Sequence, residues 1–157
     1  MVRRRSPASG PTPRPRDATG RPLPPGRPDE LGDADPAADC DEVDDAVDRL
    51  ASCVADGRFF PAHRVVLRLW RDLDPEHREL WGAVAQVTGG CVHMERENWA
   101  GAQTLLARAA GRLDRQPSPQ RGLDISALAD ASRALAAEAA GGGGDPTVVL
   151  ERLPRRR

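Results

Sequence analysis

The side chains best suited to chemistry are concentrated in one stretch of the chain, residues 59–99. All three histidines lie there (His63, His77 and His93), together with every Phe and Trp of the sequence. Imidazole is the side chain most able to exchange protons or to bind metals near neutral pH. Because aromatic residues make up only 3% of the chain, their collection with the histidines predicts a functional site on this stretch.

A polar stripe is predicted on the helix that contains His93. Gln86, Gly90, His93 and Glu97 follow one another at i, i+4, i+7 and i+11, which places them on one face of a helix. A glycine on that face lets a ligand or another backbone approach closely. The spacing therefore predicts one polar wall of a groove.

The facing wall is predicted on the preceding helix. If the two helices are antiparallel with their turn near residue 75, His63 lies level with about residue 88. His93 is then about 7–8 Å further along the axis, at roughly 1.5 Å per residue. Two long side chains at that separation meet across a groove, or share a metal or a water molecule. The predicted binding residues are His63, Trp70, Gln86, Gly90, His93, Glu97 and Asn98.

Two uses of this groove are consistent with the residues. In the leading hypothesis a non-enzymatic helical domain binds an unknown small molecule or protein. In the second, His63, His93 and Glu97 hold a single divalent metal in a hydrolase-like enzyme, since two His and one Glu suffice for a catalytic metal site. No HExxH motif and no paired Glu-x-x-His supports it. Alternatively, the histidines only satisfy buried polar groups between packed helices.

Apolar residues recur at helical spacing from residue 41 onward, and no segment has a convincing strand period. Pro61 suits a first helical turn, Asp74-Pro75 ends a helix, and Asp124 suits an N-cap. The sequence thus predicts an all-α fold, a compact bundle of four to five helices within a domain at 39–140. The predicted helices are 41–56, 60–73, 76–97, 99–114 and 125–140.

The flanks of this domain differ from it in composition. Residues 1–38 are predicted to be a disordered Pro/Arg-rich tail, because they have almost no large apolar side chains. Residues 141–157 are predicted to be a Gly-rich linker followed by a basic C-terminal tail. The arginines of both ends suggest a third hypothesis, a nucleic-acid adaptor. The formal net charge of −1 argues against it.

Cysteine usage and hydropathy indicate a protein of the cytoplasm. Cys40, Cys53 and Cys91 are odd in number and widely spaced, so they predict no disulfide framework, and Cys53 and Cys91 are expected in the core. No apolar run reaches the length of about 18 residues that a membrane span needs. The sequence leaves open a second copy of the chain as a partner, because a small bundle with an exposed tryptophan can bury it in an oligomer.

Residues 59–124 resemble the domain-of-unknown-function 309 family, which comprises small all-helical proteins of bacteria and archaea. The resemblance rests on an ordered set of short motifs. These are Phe59-Phe60-Pro61-Ala62-His63, Trp70, Val84-Ala85-Gln86, His93, Asn98-Trp99-Ala100-Gly101-Ala102, Leu105-Leu106 and Gly122-Leu123-Asp124.

The resemblance implies a compact helical bundle, in a family with no established activity. The family pattern has Glu directly after the motif His and another acidic residue about one turn later. This chain has Arg64 there, followed by Leu67 and Arg68. The carboxylates that would favour a metal or acid/base site on this helix are therefore missing, which makes the chain a divergent member.

Overall fold

The computed structural model describes residues 14–30 and 37–147. This part of the chain is all-helical and contains no β-strand, which confirms the predicted fold class. In chain order the α-helices are α1 (Val43–Ala55), α2 (Phe59–Arg68), α3 (Arg78–Glu95), α4 (Trp99–Leu113) and α5 (Ile125–Ala140).

The helices begin and end where local chemistry dictates. Asn98 caps α4, since its side chain accepts a hydrogen bond from the Gly101 N–H, and Asp124 caps α5 by accepting from the Ala127 N–H. The break at Asp74 is followed by a 3₁₀ turn at Pro75–His77. Apart from the C-terminal end of α2, the five helices begin and end within two residues of their predicted bounds.

Two segments differ from the predicted helices in a way that matters for the site. The predicted helix 60–73 changes from α-helix to a π-helical turn at Leu69–Leu73, ahead of Asp74. The predicted helix 76–97 ends at Glu95, because Glu97 adopts a φ of 57° in the left-handed region. That conformation turns the chain out of the helix.

The core is built around α3. Successive helices pack against one another, α1 on α2, α2 on α3, α3 on α4 and α4 on α5. Helix α3 is buried on almost every side, and its Trp81 is fully buried. The Trp81 indole N–H donates to the buried Asp74 carboxylate at 2.9 Å, and Arg121 donates twice to the same group at 3.0 and 3.1 Å. This network fixes the α2–α3 connection against the loop that precedes α5.

The described part of the N-terminal flank, residues 14–30, contains turns but no helix. It packs on the bundle through Thr19 and Arg21, which contact Arg96. The rest of the predicted tail (1–13 and 31–36) and the final residues 148–157 lie outside the described residues.

All three cysteines are buried and form no disulfide, and Cys53 and Cys91 lie in the hydrophobic core as predicted. Within residues 14–30 and 37–147, no helix is both long and apolar enough to cross a lipid bilayer.

Candidate functional site

A cavity of about 490 Å³ opens between α2, α3 and α4. Four of the seven predicted binding residues line it: His63 and Trp70 on the α2 side, and Gln86 and His93 on α3. The volume falls within the range typical of small-molecule sites, roughly 300–1,000 Å³. The remaining lining residues are mostly apolar; they are Phe60, Leu67, Gly82, Ala85, Gly89, Val92, Arg96, Leu105 and Arg112.

The wall that α3 contributes is a continuous helical stripe, which is shifted from the predicted one. Gly89, not Gly90, faces the cavity, and a Cβ atom at Gly89 would lie 3.4 Å from His63 Cε1. Gly90 instead packs against α4, where an added Cβ would lie 2.6 Å from Leu106 Cγ. The predicted role of Gly90 is therefore corrected: it permits close helix packing and does not line the cavity.

His63 is held against α3 by Thr88. The Thr88 hydroxyl donates to the helix carbonyls of Ala85 or Val84, so its oxygen accepts from His63 Nδ1–H at 2.9 Å. Burial lowers the pKa of His63, and electrostatic repulsion from neighbouring groups, with His93 first, lowers it further. A backbone hydrogen bond with Ala85 opposes this shift. His63 is therefore neutral near pH 7, with Nε2 as its acceptor nitrogen.

His93 has the opposite arrangement of its ring nitrogens. Asn98 uses its Oδ1 to cap α4, so its Nδ2 donates to His93 Nδ1 at 3.0 Å. Burial and then the charge of Arg96 lower the pKa of His93. The neutral ring therefore carries its proton on Nε2. Asn98 itself does not line the cavity; it orients His93.

Gln86, which lines the cavity, has an unsatisfied polar atom. Its Oε1 atom is buried and accepts no hydrogen bond from any described residue. A buried acceptor without a partner costs about 1–3 kcal/mol. This oxygen therefore favours a ligand that brings a hydrogen-bond donor to it.

The charged groups of the cavity are both cationic. Arg112 is paired with Glu79, whose Oε2 lies 3.2 Å from its NH2. Arg96 donates from Nε and NH2 to the Thr19 carbonyl at 3.0 and 2.9 Å. The lining residues include no Asp or Glu.

The N-terminal segment packs against Phe60 and Arg96, two residues that line the cavity. Gly20, at a φ of 83°, packs on the ring of Phe60, where a larger residue would clash. The guanidinium groups of Arg16 and Arg96 lie 5.7 and 5.9 Å from the centre of the same ring, within cation–π range. Residues 16–21 thus contact two residues that line the cavity, and the composition of the tail does not predict these contacts.

The predicted metal triad is not assembled. Glu97 lies in the turn beyond the end of α3, is exposed, and does not line the cavity that His63 and His93 share. Across residues 14–30 and 37–147, no three His, Cys, Asp or Glu side chains are grouped so that they could hold a metal ion. The early end of α3 is the physical reason, because it removes Glu97 from the face of Gln86 and His93.

Sequence reasoning missed most of the apolar lining and both arginines. The signal was present on α3, since Gly82, Ala85 and Gly89 extend the stripe of Gln86 and His93 at spacings of three and four residues. Arg96 continues this stripe, but a charged residue near a helix end is usually solvated.

Comparison with known proteins supports the family resemblance. The model of a family described as a domain of unknown function (DUF309) matches residues 47–105, which begin within α1 and include the whole of α2 and α3. No curated protein and no solved structure matches the chain significantly. The match begins earlier than residue 59 and ends before the Gly122-Leu123-Asp124 motif. Residues 47–105 are thus similar to the DUF309 family.

Proposed function

We propose that this protein binds a small, mainly apolar molecule in the cavity between α2, α3 and α4, and that it does not transform it. The observation that carries the proposal is the unsatisfied Oε1 of Gln86 in a cavity of about 490 Å³ with largely apolar walls. Small-molecule sites typically combine apolar walls with a few converging polar groups.

The polar groups favour binding over catalysis. His63 is held by Thr88 and by the Ala85 backbone, and His93 is held by Asn98. Neither histidine has a carboxylate partner among the residues that line the cavity. General base catalysis by His usually relies on a third group that orients and stabilises the charged ring. Neutral imidazoles without such a group serve better as hydrogen-bonding contacts for a ligand.

Phenylnaphthylamine is a suitable first probe, because it joins two aromatic systems through one N–H donor and fluoresces strongly in apolar surroundings. Gln86→Leu keeps the approximate shape of the side chain and removes the acceptor. We expect this change to weaken probe binding about tenfold, the loss of one buried hydrogen bond of roughly 1.4 kcal/mol.

Gln103→Leu is the matched control, since Gln103 is exposed on α4 and does not line the cavity. It should leave the affinity of the probe unchanged. Equal affinities for the wild type and the Gln86→Leu variant, or no saturable binding by the wild type, would contradict the proposed function.

A further inference from the structure

The cavity has two arginines, and only one of them is available to a ligand. Gly82, beside Arg112, and Arg96 are 14 positions apart in chain numbering, which corresponds to about 21 Å along a helix. A small ligand therefore reaches one of these ends with its charged group. Arg112 already forms an ion pair with Glu79 at 3.2 Å.

Arg96 lies at the other end without such a partner. Its side-chain bonds to described residues come from Nε and NH2, and both go to the neutral carbonyl of Thr19. No described carboxylate lies within ion-pair distance of it, while Asp17 and Glu95 act only from further away. Burial lowers the pKa of Arg96, which reflects the cost of holding this charge partly out of water.

We propose that the ligand is an organic monoanion, an apolar body with one carboxylate, an inference that rests on the proposed function. Arg96 binds the carboxylate through its Nη1 group. Charge-assisted hydrogen bonds from a guanidinium to a carboxylate are about twice as strong as neutral ones. Gln86 lies ten residues earlier on the same stripe of α3. One N–H or O–H group on the ligand's body donates a hydrogen bond to Gln86 Oε1, while Arg96 holds the anion.

Two probes that differ only in charge test this assignment. Anilinonaphthalenesulfonate is phenylnaphthylamine with one sulfonate, an oxyanion that stands in for the carboxylate. We expect the wild-type protein to bind the anionic probe about tenfold more tightly than the neutral one. In Arg96→Gln the ratio of the two affinities should fall to about one.

Two further variants separate charge at the site from charge elsewhere. Arg108→Gln removes an exposed arginine of α4 that does not line the cavity, and should keep the full preference. Arg96→Lys keeps the charge and should retain the preference to within about threefold. Circular dichroism of each variant checks that the helices are intact.

The outcomes distinguish this inference from the proposed function. If phenylnaphthylamine binds with the expected dependence on Gln86 but the anionic probe binds no better, the cavity takes a neutral ligand and the inference is wrong. The inference is also overturned if Arg96→Gln keeps the preference or loses both probes equally, because Arg96 then acts on no anion or only shapes the cavity. Failure of both probes to bind the wild-type protein contradicts the proposed function itself.

Discussion

Gln86→Leu should make the unliganded protein more stable while it weakens ligand binding. The amide oxygen of Gln86 is buried in the wild-type protein and accepts no hydrogen bond from a described residue. A buried polar group without a partner costs about 1–3 kcal/mol, and an apolar side chain of similar shape removes that cost. Under the proposed function, stability is lost at this position for an interaction that a ligand completes.

The expected magnitude follows from this single group. Taking the lower part of the range, the free energy of unfolding should rise by about 1–2 kcal/mol. For a domain of about 100 residues that corresponds to an increase in Tm of roughly 4–16 °C, at about 4–8 °C per kcal/mol. Thermal and urea unfolding, followed by circular dichroism without ligand, measure both quantities.

The exposed Gln103 provides the comparison, since Gln103→Leu should change stability by less than about 0.5 kcal/mol. A decrease of more than about 1 kcal/mol in the free energy of unfolding of Gln86→Leu would contradict the unsatisfied state of the Gln86 oxygen. Such a loss would mean that the amide makes a hydrogen bond on which the fold depends, and that it is not held ready for a ligand.

Three further predictions concern the elements that hold the cavity. Gly90→Ala should lower the free energy of unfolding by about 1–2 kcal/mol, although Ala favours helix more than Gly does, because the added Cβ would lie 2.6 Å from Leu106 Cγ. Gly111 has open space around it, so Gly111→Ala should raise the free energy of unfolding by up to about 1 kcal/mol. Urea unfolding measures both changes. Asp74→Asn should lower the free energy of unfolding by about 2–4 kcal/mol in the same assay, because the Trp81 indole and the Arg121 guanidinium lose the buried carboxylate to which they donate. A decrease of less than about 0.5 kcal/mol would contradict the role of that network. Burial raises the pKa of Glu95 to about 7 from 4.5, so its contribution to stability is fully present below pH 4.5 and is lost as the pH rises through about 7. In Glu95→Gln the free energy of unfolding should depend less on pH between these two values. An unchanged pH profile in this variant would contradict the assignment to Glu95.

The helices could be predicted from the sequence because local signals agree with the fold. Pro75, Asn98 and Asp124 each mark a boundary through backbone chemistry that depends on neighbouring residues only. The exception is the end of α3. There the left-handed conformation of Glu97, a residue type with no preference for it, could not be anticipated from spacing.

The site was harder to predict, because its walls depend on helix rotation and on contacts between distant residues. The spacing predicts that Gln86, Gly90 and His93 share a face of α3; Gln86 and His93 line the cavity, but Gly89 lines it in place of Gly90. The contact between Arg96 and Thr19 joins positions 77 residues apart. Thr19 lies in a segment whose composition predicts disorder, so no local pattern indicates the contact.

The most direct test of ligand binding in the cavity is to locate a bound probe on the protein. Nuclear Overhauser contacts between unlabelled phenylnaphthylamine and isotope-labelled protein report which methyl groups lie beside the probe. We expect contacts with the methyl groups of Leu67, Val92 and Leu105, which line the cavity from α2, α3 and α4. Contacts with Val43 and Val47 of α1 instead, or none with the cavity methyls at a saturating probe concentration, would contradict it.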